Sequence, residues 1–231
     1  MTDTAMPHSP SDSEQHTSEL PQVIAIDGPV ASGKTVVGAL LAKLLGYGFL
    51  DTGLMYRAVT LVALEQGIDL LDGSALTALA KVLSLEVPIL PGATGLVVDG
   101  KEVAASLRDG SVERGTSLVA SVPGVRRALV RKQRDIAITS PIVMMGRDIG
   151  TVVLPDATAK FYLTASVTER ARRRHLEYLE GGKEITYKQV LKDLKRRDEI
   201  DSARDDSPLR IADDAVVIDT DGQTIEDLAQ K

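Results

Sequence analysis

Not one of the 231 residues is a cysteine, which excludes disulfides, zinc clusters of the cysteine type and thiol chemistry. Equally absent is any apolar run of 18 residues or more, and the N-terminus lacks a basic segment followed by an apolar one. Neither a membrane span nor a secretory signal is therefore expected, and a cytoplasmic location is the default. A basic excess is missing too: the formal charge is −6, which argues against a nucleic-acid polymer as partner. No long apolar surface helix or heptad demands a second copy, so a monomer is expected. What is present suffices for a sizeable core, at 43% hydrophobic residues, and the length fits one domain with an insertion or two small ones.

The acidic total hides local excesses of the opposite sign. Residues 170–210 hold twelve Lys/Arg against nine Asp/Glu, and Arg126, Arg127, Arg131, Lys132 and Arg134 have no acid among them before Asp135. Positive patches on an acidic protein suit a small anion better than a long polyanion. Solvated helix faces give the same pattern, and charge alone does not separate the two.

Residues 1–21 are rich in Ser, Thr, Asp, Glu and Pro, with too few apolar residues to repay the entropy of ordering, and read as a disordered tail. From Val23 a rhythm begins. A strand at Val23 to Ile26 is followed by a helix carrying Val36, Val37, Leu40, Leu41, Leu44 and Leu45 and stopped by Gly46; a strand at 48–50 and a helix at 54–65 come next. Strand and helix in alternation predict a parallel sheet with helices on its faces. The rhythm breaks over 85–103, where three short β runs and the hairpin signal Asp99-Gly100 predict a small antiparallel insertion. Helices are predicted at 109–121 and 123–139, strands at 142–145 and 160–163, and a helix after the capping-box spacing Ser166 to Glu169 that ends at Gly181-Gly182. A helix at 186–204, a strand at 215–218 and a short closing helix complete the chain.

Gly28-Pro29-Val30-Ala31-Ser32-Gly33-Lys34-Thr35 fits G-x-x-x-x-G-K-[ST], and it stands after a strand and at the opening of a helix. Glycines let the backbone wrap close to phosphate, and the helix N-terminus supplies free N–H groups and a positive dipole end. Lys34 reaches the β- and γ-phosphates, and the Thr35 hydroxyl can ligate Mg²⁺. Kinases, GTPases and ATP-driven machines all use this cradle. The chain has no Asn-Lys-x-Asp to read guanine, and the candidate for a strongly apolar strand ending in an acid, in PIVMMGRDIG, ends in Met145-Gly146 instead. Both features weaken the GTPase and motor readings.

Phosphoryl transfer asks for cations around the moving group and an acceptor held in line. On the helix from Thr186, the apolar stripe of Val190 and Leu194 continues at helical spacing as Arg197, Asp201 and Arg204. A face that turns from apolar to charged either forms a structural ion pair or lines an anion pocket. Arg170, Arg173 and Arg174 share a face of the preceding helix, and their mutual repulsion calls for an anion or for nearby acids.

Five segments in order, IAIDGPVASGKTVV, YGFLDTGLMYRAV, GRDIGTVVLPDA, TERARRR and RRDEIDSARDDSPLRIADDAVVIDT, make the chain from about Val23 onward resemble bacterial cytidylate kinase. The resemblance implies the P-loop nucleoside monophosphate kinase fold, an α/β architecture with a core at 22–84 and 113–231. An insertion at 85–112 would belong to the monophosphate-binding region, and a helical lid would span about 166–204. It implies transfer of the γ-phosphate of ATP to CMP or dCMP, with Mg²⁺. Gly28, Pro29, Val30, Ala31, Ser32, Gly33, Lys34, Thr35 and Val36 would hold the ATP phosphates. Thr52 and Ser117 would contact the cytosine, and Asp148, helped by Asp201, the sugar hydroxyls. Arg57, Arg126, Arg147 and Arg197 would clasp the CMP phosphate with Arg204 in support, while Arg170, Arg173 and Arg174 of the lid would act on the transferring group beside Lys34.

One departure stands out. Members of the family usually carry an acidic residue where this chain has Met145, and a methionine cannot support a Mg²⁺ water shell. That role would pass to Asp27, at the end of the first strand, or be dispensed with. A P-loop kinase for another small acceptor, and a nucleotide-binding regulator without turnover, are the competing readings.

Overall fold

The computed structural model describes residues 22–90, 93–103, 106–224 and 228. The tail expected at 1–21 lies outside the described residues, as does most of the closing helix. In chain order the elements are β1 (Val23–Asp27), α1 (Lys34–Leu45), β2 (Gly48–Asp51), α2 (Thr52–Glu65), α3 (Gly73–Val82), five two-residue strands β3 (Leu85–Glu86), β4 (Ile89–Leu90), β5 (Ala93–Thr94), β6 (Val97–Val98) and β7 (Lys101–Glu102), then α4 (Gly110–Ser121), α5 (Pro123–Ala137), β8 (Ile142–Met145), β9 (Ala159–Thr164), α6 (Val167–Glu180), α7 (Tyr187–Ser202) and β10 (Val216–Asp219). A 3₁₀ turn covers Ser106–Arg108, and one turn of π-helix covers Ile149–Val153.

The five long strands form one parallel sheet in the order β10-β9-β1-β8-β2. β1 is central, paired on both sides, and that is why VIAID is apolar until its last residue: both faces of a covered parallel sheet are core. Alternate side chains go to different layers. Ala25, Leu50 and Met144 meet the helices α2 to α5 on one face, while Ile24, Ile26, Phe49, Val143 and Met145 meet α1 on the other. A third small core, Ala171, Val190 and Leu194, joins α6 to α7, and Val30 of the phosphate loop packs against it.

The local signals explain most element ends. Gly46 takes a left-handed φ of 70° and its N–H caps α1 on Ala42 and Lys43. Asp99 and Gly100 both have positive φ, 47° and 78°, the geometry of the tight hairpin turn joining β6 to β7. Ser166 accepts from the Glu169 N–H at 3.2 Å, but only half of a capping box forms. The Glu169 carboxylate turns to Arg172 and Arg173, and Asp221 takes the Ser166 N–H instead.

Three sequence expectations need correction. The helix α3 was not anticipated; its apolar pattern is short, and its clearest mark is the cap in which Asp72 accepts from the Ser74 and Ala75 N–H groups. The insertion holds five two-residue strands rather than three runs, split between the sheets β3-β6-β7 and β4-β5. Of the six apolar positions on α1, only Val37 is buried, while Val36 and Leu44 are exposed.

Gly124 at the start of α5 lies against α3, where a Cβ would sit 2.1 Å from Thr77 Oγ1 and 2.8 Å from Thr77 Cβ. Gly124→Ala is expected to lose about 1–3 kcal/mol to overpacking, more than the ~1 kcal/mol that alanine gains in helix preference. Urea unfolding should show a lower midpoint at unchanged slope; an unchanged or higher midpoint would mean that α3 yields to the methyl group.

Candidate active site

The phosphate loop runs from the C-terminal end of the central strand into α1. Gly28 has φ +146°, and a Cβ there would fall 2.0 Å from the Leu163 carbonyl oxygen, because β9 passes directly behind the loop. Gly33 closes the turn at φ 91° as the N-cap of α1. The amide N–H groups of residues 30–36 find no protein acceptor among the described residues. Such a set of unpaired donors at a helix N-terminus is a ready anion cradle.

Lys34 is only 4% exposed and curls back to donate to the Pro29 carbonyl at 2.6 Å and to Ser32 Oγ at 3.3 Å. Burial, and then the neighbouring Arg147, push its pKa well below the usual lysine value; Asp51, Asp27 and Asp201 pull the other way. Thr35 and Val36 stand exposed at the mouth. The described residues hold no group of three or more His, Cys, Asp or Glu able to bind a metal; at this loop the Thr35 hydroxyl is the side chain that could join phosphate oxygens around an ion. That donor set, a hydroxyl and phosphate oxygens, fits Mg²⁺.

Asp27 has a structural role of its own: the Ile149 N–H donates to Oδ1 at 2.8 Å and the Gly150 N–H to Oδ2 at 2.7 Å. The side chain is a buried anchor for the turn that follows β8. Met145 is likewise a core residue, 5% exposed, packed on the α1 side with Ile24, Ile26 and Phe49. Its carbonyl, not its side chain, faces the site, where it accepts from Thr52 Oγ1 at 2.9 Å. Gly146 is required there, since a Cβ would lie 2.7 Å from both Thr52 Oγ1 and Ile149 Cδ1.

The turn held by Asp27 presents Arg147 and Asp148. Asp148 is buried and pairs with Arg126 Nη2; Arg126 is 2% exposed and also donates to the Ala120 carbonyl at 3.3 Å. Arg147 Nε donates to Asp201 Oδ2 at 3.0 Å, and Arg204 Nη2 donates to Asp201 Oδ1. Burial favours a protonated Asp201, but Arg147, Arg204 and Arg197 outweigh it and hold the carboxyl below its ordinary value. Arg197 is pushed down by burial and by Arg147. Arg57 Nη1 donates to the Leu107 carbonyl at 3.1 Å, and Ser117 is half-buried on α4. Among the described residues, the Nε atoms of Arg126 and Arg204 are buried with no hydrogen-bond partner. Unspent donors among closely packed arginines are the signature of a site shaped for an anion.

The three arginines of α6 go to three places. Arg170 is buried, grips Asp198 of α7 at 3.1 and 2.7 Å, and donates to the Val30 carbonyl of the phosphate loop at 3.2 Å. Arg173 pairs with Glu169 and donates to Thr220, whose hydroxyl donates in turn to the Ser32 carbonyl at 3.3 Å. Arg174 bonds Glu113 of α4 and Glu177. The nearby acids that their repulsion demanded are present. Asp198 and Glu113 were missed by sequence reasoning because each belongs to a helix distant from its partner. Tyr56, with Arg126 stacked 5.4 Å from its ring centre, was missed because it reads as one more apolar position of α2.

A parallel sheet carrying a phosphate loop, with buried arginines gathered beside it, defines a P-loop phosphotransferase. Comparison with known proteins narrows the class. A family model described as cytidylate kinase matches residues 24–231, and the chain belongs to that family. The cytidylate kinase of Herpetosiphon aurantiacus is 47% identical over 218 residues, 93% of each chain. That of Nocardia farcinica is 46% identical over 92% of each chain, and that of Bacillus licheniformis 44% identical over 90% of this chain and 92% of its own.

Burial lifts the Asp27 carboxyl from 3.8 to about 6, against the pull of the two N–H groups. Between those values the native state holds a proton that the unfolded chain has lost. The contribution to stability is full below pH ~4 and disappears as pH rises through ~6. Relative to Asp27→Asn, the parent protein should gain stability as pH falls from about 7 to about 5 in urea unfolding; a difference independent of pH would contradict the assignment.

Proposed function

We propose that the chain transfers the γ-phosphoryl group of ATP to CMP and dCMP, giving CDP and dCDP, by direct in-line displacement without a phosphoenzyme. One observation supports this most: the unpaired amides of the phosphate loop and buried Lys34 stand beside a second set of cations, buried Arg126 and half-buried Arg147, Arg197 and Arg204. Two anion sites that share the field of Arg147 suit a donor and an acceptor that both carry phosphate.

In this reading Gly28 to Val36 hold the ATP phosphates. Mg²⁺, held by Thr35 and the nucleotide, would neutralise charge on the transferring group. Thr52 and Ser117 read the cytosine edge. Asp148, already oriented by Arg126, takes a sugar hydroxyl with help from Asp201, and Arg57, Arg126, Arg147 and Arg197 clasp the acceptor phosphate with Arg204 behind them. Lys34 and the α6 arginines Arg170, Arg173 and Arg174 stabilise charge as it moves. The α6–α7 hairpin, about 166–204, is the lid that excludes water. Residues 85–112 form the insertion of the monophosphate-binding region, on a core of 22–84 and 113–231. No helix among the described residues is long and apolar enough to cross a membrane; we take the protein to act as a cytoplasmic monomer.

An ADP-release assay with ATP, Mg²⁺ and each nucleoside monophosphate should show CMP and dCMP far above AMP, GMP and UMP. Equal rates with AMP or GMP would overturn the acceptor assignment. Lys34→Ala should lower kcat by on the order of 100-fold or more while CMP binding changes little; unchanged turnover would refute the role given to Lys34.

A further inference from the structure

Glu113 sits on α4 one turn before Ser117, so the two side chains share a helix face. Its side chain is 12% exposed and is surrounded by cations from other elements. Oε1 accepts from Arg174 Nη2 and, at 3.1 Å, from the Tyr178 hydroxyl, both on α6. Arg197 Nη1 of α7 lies 3.9 Å from Oε1, and Lys183 Nζ of the connecting loop 3.9 Å from Oε2. Burial works to protonate Glu113, but Arg174 and then Arg57 outweigh it and keep the carboxyl below its ordinary value. It is ionised at neutral pH.

Three of these cations, Arg57, Arg174 and Arg197, are ones to which the proposed function gives a phosphate. Half-buried like charges gathered in one place need an anion. With substrate, a phosphate supplies it. Without substrate, Glu113 bonds Arg174, lies 3.9 Å from Arg197 and feels the charge of Arg57, and through Arg174, Tyr178 and Lys183 the same carboxylate ties the α6–α7 hairpin to α4.

We propose that Glu113 is an internal counter-anion that latches the α6–α7 hairpin onto α4 and competes with the acceptor phosphate for Arg57 and Arg197. The proposal rests on the CMP kinase reading above. Acceptor binding draws these arginines to the phosphate, weakens the latch and releases Arg174 with its helix, so the lid is freed when the acceptor arrives. Glu113 is a positioning residue: it acts through the arginines and touches no reacting atom.

Glu113→Gln keeps the shape and one acceptor oxygen but removes the competing charge. Titration calorimetry with CMP should give a Kd about fivefold to tenfold lower than that of the parent, and KM for CMP should fall with it while KM for ATP stays. Amide exchange over 174–186 in the free protein should quicken. Tyr178→Phe, which keeps the ring and removes only the hydroxyl donated to Glu113, should shift Kd the same way by about twofold, and decides the matter if Glu113→Gln does not fold. A folded Glu113→Gln with CMP affinity equal to or weaker than a CMP-binding parent overturns the latch and leaves the kinase reading intact. A parent that does not bind CMP overturns both.

Discussion

The buried carboxylate of Asp27 is the constraint on which the site depends. It ends the central strand one residue before the phosphate loop, and it holds the amides of Ile149 and Gly150, which follow Arg147 and Asp148. The loop proposed for the donor phosphates and the turn proposed for the acceptor are thereby fixed to one another through a single side chain. Burying that charge costs several kcal/mol, while each hydrogen bond to it returns about 1.5–3 kcal/mol. The two nearly cancel, and desolvation prevails: the carboxyl is displaced upward, to about 6. The protein accepts a poorly solvated anion where it holds the phosphate loop and the turn after β8 at a rigid spacing.

Around this anchor the arginines are oriented in advance. Arg126 leans on Asp148, Arg147 and Arg204 on Asp201, and Arg170 on Asp198. Each pair fixes a guanidinium that would otherwise be mobile, and unpartnered Nε donors remain on Arg126 and Arg204. Donors already held in place need little reorganisation when charge arrives, which is the larger part of what a phosphoryl-transfer site contributes. The acids therefore balance the cluster and aim it at once.

Much of this was legible in the sequence. The phosphate loop declared itself because glycine spacing, Lys34 and the strand-to-helix context are all local. The stripe from Val190 through Arg197 to Arg204 showed that a core-facing helix turns charged, and Val190, Leu194 and Asp201 are indeed buried. What could not be read was pairing across distance. Asp27 and Gly150 are 123 residues apart, Arg174 and Glu113 61, and no periodicity links them. Met145 drew notice as a missing acid, yet its pleat position sends the side chain into the core with Phe49. The lack of an acid there drew attention to Asp27, whose bonds to the amides of Ile149 and Gly150 only the fold reveals.

The central claim is that two phosphate sites, one on the loop from Gly28 to Thr35 and one on the buried arginines, face each other across a fixed gap. A crystal structure with CMP and a non-hydrolysable ATP analogue measures this directly. The account requires the CMP phosphate within hydrogen-bond distance of Arg126, Arg147 and Arg197, in line with a γ-phosphate beside Lys34, with Asp27 still holding Ile149 and Gly150. A CMP phosphate seated away from those arginines, or Asp27 released from the amides to reach the metal, would contradict it.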